Sequence, residues 1–285
     1  MEVDYKYQGV GSAYLNLSSF AEKHRVSGRQ RGQTTQEETR WSRIFTVAKP
    51  IIGMLHLKGE NHTGVLERAK RELELYVQGG VDAVIVESYF GSYNNMVDVL
   101  EYLEQQQYPL SYGVNCLNVD VMGFELALAY AAKFVQLDSV VGHIQPRDEP
   151  ALAAFLHLYR ARYSGAVLGG VRFKYQPLLS NHTVEEDLAT AQMRCDAVCV
   201  TGNATGQETS QEKISHFRVA LGAFPLIVGA GVTAENVAAN LRMADGAIVG
   251  SFFKDTYQDD GELSLEHIRQ FMAAVYHIRE KEEAT

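Results

Sequence analysis

From Lys49 onward, short apolar runs rich in Val, Ile and Ala alternate with longer stretches in which apolar residues return every three or four positions. Short continuous apolar runs suit strands covered on both faces, and the longer periodic stretches suit amphipathic helices. The strands predicted are Ile51–Leu57, Val81–Glu87, Ser111–Asn115, Phe134–Asp138, Gly165–Lys174, Ala197–Thr201, Pro225–Gly229 and Gly246–Gly250. Helices are expected over 63–78, 92–107, 121–133, 147–162, 183–194, 208–221, 233–242 and 264–280.

Local signals mark the helix ends. Thr183-Val-Glu-Glu186 and Thr233-Ala-Glu-Asn236 place a hydroxyl at an N-cap with acid in the first turn, which satisfies orphan amides and complements the helix dipole. Gly79-Gly80 stops the first barrel helix through a left-handed residue.

Repeated βα units imply a parallel sheet, either an open doubly wound one or a closed barrel. No GxGxxG fingerprint follows the first strand, whereas glycine-rich turns follow the last two. The fold expected is therefore an α/β (β/α)8 barrel of the TIM type over residues 46–285, preceded by an N-terminal extension over 1–45. Within the extension, Ser27–Thr35 is polar and is flanked by short helices expected near Tyr14–His24 and Gln36–Phe45. It reads either as a surface arm or as an arm that covers the barrel or a neighbouring subunit, docking through Trp41, Ile44 and Phe45.

Composition narrows the function classes. The net charge is −9. Residues 1–50 hold eight Lys and Arg against five Asp and Glu, and 51–285 hold eighteen against thirty. An acidic body disfavours a nucleic-acid polymer, so an anionic ligand must be small and held by local donors. No apolar run is long enough to span a bilayer and no secretory signal is present, so a cytoplasmic protein is expected. Cys116, Cys195 and Cys199 lack zinc-type spacing and read as structural thiols. Barrels often assemble into closed homo-oligomers, but no segment assigns an interface.

The sharpest chemical motif is Leu226-Ile-Val-Gly-Ala-Gly-Val-Thr233, a strand that passes through two glycines into a helix. Its amides can approach an anion while the helix N-terminus adds partial positive charge. Ala247-Ile-Val-Gly-Ser251 repeats the theme one unit later. Gly229, Ala230, Gly231, Gly250 and Ser251 are thus the candidate phosphate clamp, with Lys254 read as a solvated surface lysine. The competing reading is that these glycines only permit tight turns.

Five motifs in order, Lys49-Pro-Ile-Ile-Gly-Met-Leu-His-Leu57, Gly79–Glu87, Tyr112-Gly-Val-Asn115, Ala197–Gly206 and Val228–Val237, resemble the BtpA/SgcQ family across about residues 48–280. The resemblance implies a ribulose-phosphate-binding type of barrel, in a family linked to photosystem I biogenesis and to sugar-operon or nucleosidase-like roles. It transfers fold and ligand class more firmly than a reaction. Two loops depart from the family pattern. Lys58-Gly-Glu-Asn-His-Thr63 replaces a Leu-Pro segment, and Gly142-His-Ile-Gln-Pro-Arg-Asp-Glu149 replaces Thr-Asp-Gln-Gly, pointing to altered substrate contacts.

In a barrel of this kind the reacting groups come from strand ends and the loops after them. Glu87 ends an apolar run, where desolvation raises a carboxyl pKa, and Asp138 could share acid/base duty with it. Lys174, at a position where the family also carries lysine, is expected to pair with a phosphate or carboxylate, with a Schiff base as the alternative. These three are the catalytic candidates. His56, Asn115, Thr201, Gly202, Asn203 and Thr205 are the candidates for orienting substrate. No cofactor is assigned with certainty and a divalent metal stays open: His56 and His143 with Glu87 or Asp138 could hold such an ion, although no HxH or HExxH spacing supports it.

The leading expectation is an enzyme acting on a small phosphorylated sugar or nucleotide-like ligand, with nucleosidase-like hydrolysis first and sugar-phosphate isomerisation or epimerisation second. The rival is a non-catalytic assembly factor.

Overall fold

In the computed structural model, residues 38–142 and 148–283 are described. The helices expected near Tyr14–His24, the polar Ser27–Thr35 stretch and His143 lie outside the described residues.

Eight parallel strands close into a barrel in sequence order: β1 Ile51–Leu55, β2 Ala83–Glu87, β3 Ser111–Asn115, β4 Phe134–Leu137, β5 Ala166–Gly170, β6 Ala197–Val200, β7 Leu226–Val228 and β8 Gly246–Val249. A short helix, α1 (Arg40–Ile44), precedes them. The barrel helices are α2 His62–Gly79, α3 Tyr93–Gln106, α4 Asp120–Ala129, α5 Glu149–Arg162, α6 Val184–Gln192, α7 Gln211–Leu221, α8 Val237–Leu241 and α9 Leu265–Glu283. Local chemistry sets their ends. Thr183 caps α6 in a reciprocal box with Glu186, and Gly80 closes α2 at φ 81° with its N–H on the Tyr76 and Val77 carbonyls.

Alternation along each strand sorts side chains into two cores. Outward residues such as Ile51, Leu55, Val84, Val114 and Val198 pack beneath the helices. Inward residues such as Ile52, Ile85, Phe134, Leu168, Cys199 and Ile248 fill the barrel axis. Phe45 joins this inner cluster with Trp41 and Ile44 against it, its ring 5.5 Å from that of Phe134. The compact unit accordingly begins at Glu38, and α1 closes the N-terminal end of the barrel. Carried one step further, the inward register runs 52, 54, 56 in β1, 83, 85, 87 in β2, 134, 136, 138 in β4 and 248, 250 in β8. The same two-residue period therefore delivers the polar residues to the opposite mouth.

Two expectations are corrected. The fifth strand stops at Gly170 rather than Lys174, because Arg172 (φ 48°) and Tyr175 (φ 60°) turn the chain out of extended geometry. Lys254 is not a solvated surface lysine: it is 1% exposed, with Nζ donating to Glu72 Oε1 at 2.8 Å. Cys116, Cys195 and Cys199 are free thiols. Among the described residues no helix is long and apolar enough to cross a membrane.

Candidate active site

A cavity of about 310 Å³ opens at the C-terminal ends of the strands. His56, Glu87, Gln136 and Lys174 line one part of it and the turns Gly229–Thr233 and Gly250–Ser251 another, over an apolar base that includes Met54 and Ile248.

Glu87 is 5% exposed, and burial raises its carboxyl pKa to about 8 against the pull of Lys174, with Asp138 adding to the rise. At neutral pH it is a protonated acid. The Asn115 side-chain amide donates from one nitrogen to Glu87 Oε1 (3.1 Å) and to Asp138 Oδ1 (3.2 Å), so the two carboxyls share a single buried donor. Burial also raises Asp138, partly offset by Asn115, Lys174 and Gln136.

His56 is shifted the other way, down to about 4, by burial first and the Lys254 charge second. Its Nδ1 meets the Asp259 carbonyl at 3.1 Å. A carbonyl can only accept, so Nδ1 carries the hydrogen and Nε2 keeps its lone pair. That lone pair faces Glu87 Oε2 at 3.6 Å. A neutral base thus stands opposite a neutral acid.

Lys174 reaches the cavity from the loop after β5. Its backbone N–H donates to Thr201 Oγ1 (2.7 Å), and Thr201 donates in turn to the Gly202 carbonyl (3.1 Å). The Thr201 hydroxyl is thereby committed to positioning Lys174. Lys213 staples the same place, donating to the Arg172 and Thr201 carbonyls.

In the glycine turns, the Gly229 N–H is committed to the Val200 carbonyl at 2.8 Å and the Thr233 N–H to Asn236 Oδ1 at 2.8 Å. Among the described residues, no acceptor is found for the amides of Ala230, Gly231, Val232, Gly250 or Ser251. Gly231 has φ 64°, and a Cβ there would lie 2.4 Å from the Gln207 carbonyl carbon. Only glycine fits this turn.

Of the sequence candidates, the cavity gathers His56, Glu87, Lys174, Thr205, Gly229, Ala230, Gly231, Gly250 and Ser251. Asn115 and Asp138 stand behind Glu87 as its hydrogen-bonded support. Asn203 lines a neighbouring cleft with Lys213 and Tyr175, and Gly202 packs against the Glu208 carbonyl.

Sequence reasoning missed Gln136, Glu235, Tyr257 and the Tyr89–Asp259 hydrogen bond of 2.8 Å. Gln136 was discoverable, since it lies midway between Phe134 and Asp138 in the inward register. Its Oε1 and the Thr205 Oγ1 are buried without a hydrogen-bond partner. Among the described residues, no group of three or more His, Cys, Asp or Glu could hold a metal ion.

The BtpA family model matches residues 47–277. The chain is 30% identical over 259 residues to the uncharacterized protein PH1209 of Pyrococcus horikoshii, covering 81% of this chain and 98% of that one. It is 27% identical over 243 residues to the photosystem I biogenesis protein BtpA of Synechocystis, covering 74% and 82%. Among solved structures, phosphoribosyl anthranilate isomerase from Thermus thermophilus shares the fold at a TM-score of 0.55 and 12% identity, covering 80% of this chain and 99% of that one.

Proposed function

This chain belongs to the BtpA family, and from the chemistry of its cavity we propose that it is an acid–base enzyme acting on a small phosphorylated sugar or nucleotide-like ligand. The observation that carries this reading is the protonated Glu87 facing the neutral Nε2 of His56 at 3.6 Å in the cavity. Holding Glu87 protonated at neutral pH costs stability, a cost expected where a proton must move.

The phosphate would rest on the amides of Ala230–Val232 and Gly250–Ser251, near the Lys174 ammonium. Lys174 has no salt-bridge partner among the described residues. The buried Gln136 Oε1 and Thr205 Oγ1 would each take a ligand hydrogen bond, since such groups are seldom left unmet. An isomerase named for a phosphoribosyl compound shares the fold, which is compatible with this ligand class.

The leading reaction is nucleosidase-like hydrolysis. The bond from the anomeric carbon to the base breaks, its electron pair goes to the base, and Glu87 supplies the proton there. Water adds its oxygen to the anomeric carbon and passes a proton to His56 Nε2. Once Glu87 is ionised, its charge at 3.6 Å strengthens His56 as a base. A proton returned from His56 to Glu87 resets the site, with Asp138 and Lys174 tuning the pair. The facing acid and base also support a second reading, sugar-phosphate isomerisation, in which His56 takes a proton from carbon while Glu87 protonates the adjacent oxygen.

The test is incubation of purified protein with nucleosides, nucleoside monophosphates and pentose phosphates, reading products by chromatography and binding by thermal shift. Release of free base from a nucleotide supports hydrolysis, and interconversion of pentose phosphates supports the second reading. Neither turnover nor a shift with any phosphorylated compound overturns both and favours the assembly role that the Synechocystis relative's name suggests.

A further inference from the structure

The loop after β8 is tied shut and then tied down. Following the turn at Ser251–Phe253, Lys254 bridges antiparallel to Leu263 and closes the segment 255–262. The Lys254 ammonium, 1% exposed, donates to Glu72 Oε1 at 2.8 Å from α2. One turn earlier on α2, Arg68 donates to the same oxygen at 3.1 Å. Arg68 also reaches the Gly261 carbonyl at 2.6 Å and Glu262 at 2.9 Å. Helix α2 therefore grips both ends of the loop through one buried cluster.

The crest of the loop touches the reacting groups. The Asp259 carbonyl accepts from His56 Nδ1 at 3.1 Å, and its carboxylate accepts from Tyr89 at 2.8 Å. Lys58 donates to the Asp260 carbonyl at 2.7 Å, and Tyr257 lines the cavity. A buried ion cluster is seldom more stabilising than an apolar one of equal volume. Its use here is geometric. We propose that Lys254, Glu72 and Arg68 are positioning residues, holding the loop so that the Asp259 carbonyl fixes the His56 tautomer and leaves Nε2 open toward Glu87. The role rests on His56 belonging to the reacting site, but the state of His56 is measurable without any substrate.

Every element around His56 contributes a charged or titratable group: Glu87 from β2, Tyr89 from the following loop with its ring 5.0 Å away, Lys174 beyond β5, Asp259 and Lys254 beyond β8, and Glu72 on α2. Lys254 and Lys174 disfavour the imidazolium and Glu72 favours it. Removing Lys254 must raise the His56 pKa, while Arg68 still pairs Glu72 and limits the structural damage.

The experiment is nitrogen NMR of the full chain labelled at histidine, with His56 assigned by H56Q, read across pH without ligand. The native protein is expected to show His56 as a single neutral tautomer with the hydrogen on Nδ1 down to about pH 5. In K254M the single tautomer should give way to a mixture and titration should move upward. R68M should loosen the tautomer with little change in titration, and it carries the test if K254M does not fold. Native tautomer and titration in every folded variant would overturn the proposal, whether or not a substrate for the enzyme is found.

Discussion

The two ends of the barrel are made by the same strands in the same inward register, yet they are finished in opposite ways. At the N-terminal end, α1 sets Phe45 against Phe134 and the inner core, with the Trp41 ring 4.4 Å from that of Phe45. At the C-terminal end the register brings His56, Glu87, Asn115 and Gln136, all at most 5% exposed. Apolar burial gains free energy at one end, and desolvated titratable groups lose it at the other. The packed apolar end and the end that carries the candidate site are thus separated along one axis, in the arrangement by which barrels keep loop chemistry apart from the packed bottom.

The largest effect should come from E87Q. Loss of the acid should lower turnover by roughly 10²–10⁴-fold while leaving ligand-induced thermal shifts in place. Its stability should change in the opposite sense to its activity. Glu87 keeps its proton to about pH 8 in the folded protein against 4.5 in the unfolded chain. Native stability therefore falls as pH rises through 4.5 to 8, by on the order of a few kcal/mol, and E87Q should abolish that fall in urea titrations across this range. For His56 the sign reverses: its folded pKa of about 4 lies below the 6.5 of the unfolded chain, so stability is lost as pH drops from 6.5 toward 4. Activity should be confined between limbs near 4 and 8.

The converse change is F45A at the apolar end. It should cost about 3 kcal/mol in urea unfolding and leave the pH profile of turnover unmoved. A folded F45A with an altered profile would break the separation between the ends. Smaller is the effect of S251A, which removes one hydroxyl from the proposed phosphate clamp and should weaken binding of phosphorylated ligands by about tenfold, as read by calorimetry. Gly231 is unsuited to that test, because any Cβ strikes the backbone at Gln207. The smallest is T183A, which removes the α6 capping box outside the cavity lining and should cost about 1 kcal/mol with no change in binding.

How much of this was legible depends on which interactions are local. Glycine turns, helix caps and the two-residue inward period are written in neighbouring residues, so the barrel and the positions of Glu87, Gly231 and Ser251 follow from the chain alone. Gln136 belonged to the same period and was overlooked because a lone amide in an apolar strand carries no motif. Lys174 was expected at a strand end, yet left-handed turns at Arg172 and Tyr175 carry it into a loop. Such turns have no composition signal in bulky residues.

What the sequence determined by itself is the fold, the family and the mouth where the candidate residues gather, since these rest on periodicity and short motifs. Only the tertiary structure decided the protonation states. The pairing of Lys254 with Glu72 joins residues 182 positions apart, and the contact of His56 with Asp259 spans 203. Desolvation and charge act through space, so a residue read as a surface lysine becomes buried support for the site once α2 and the last loop close around it.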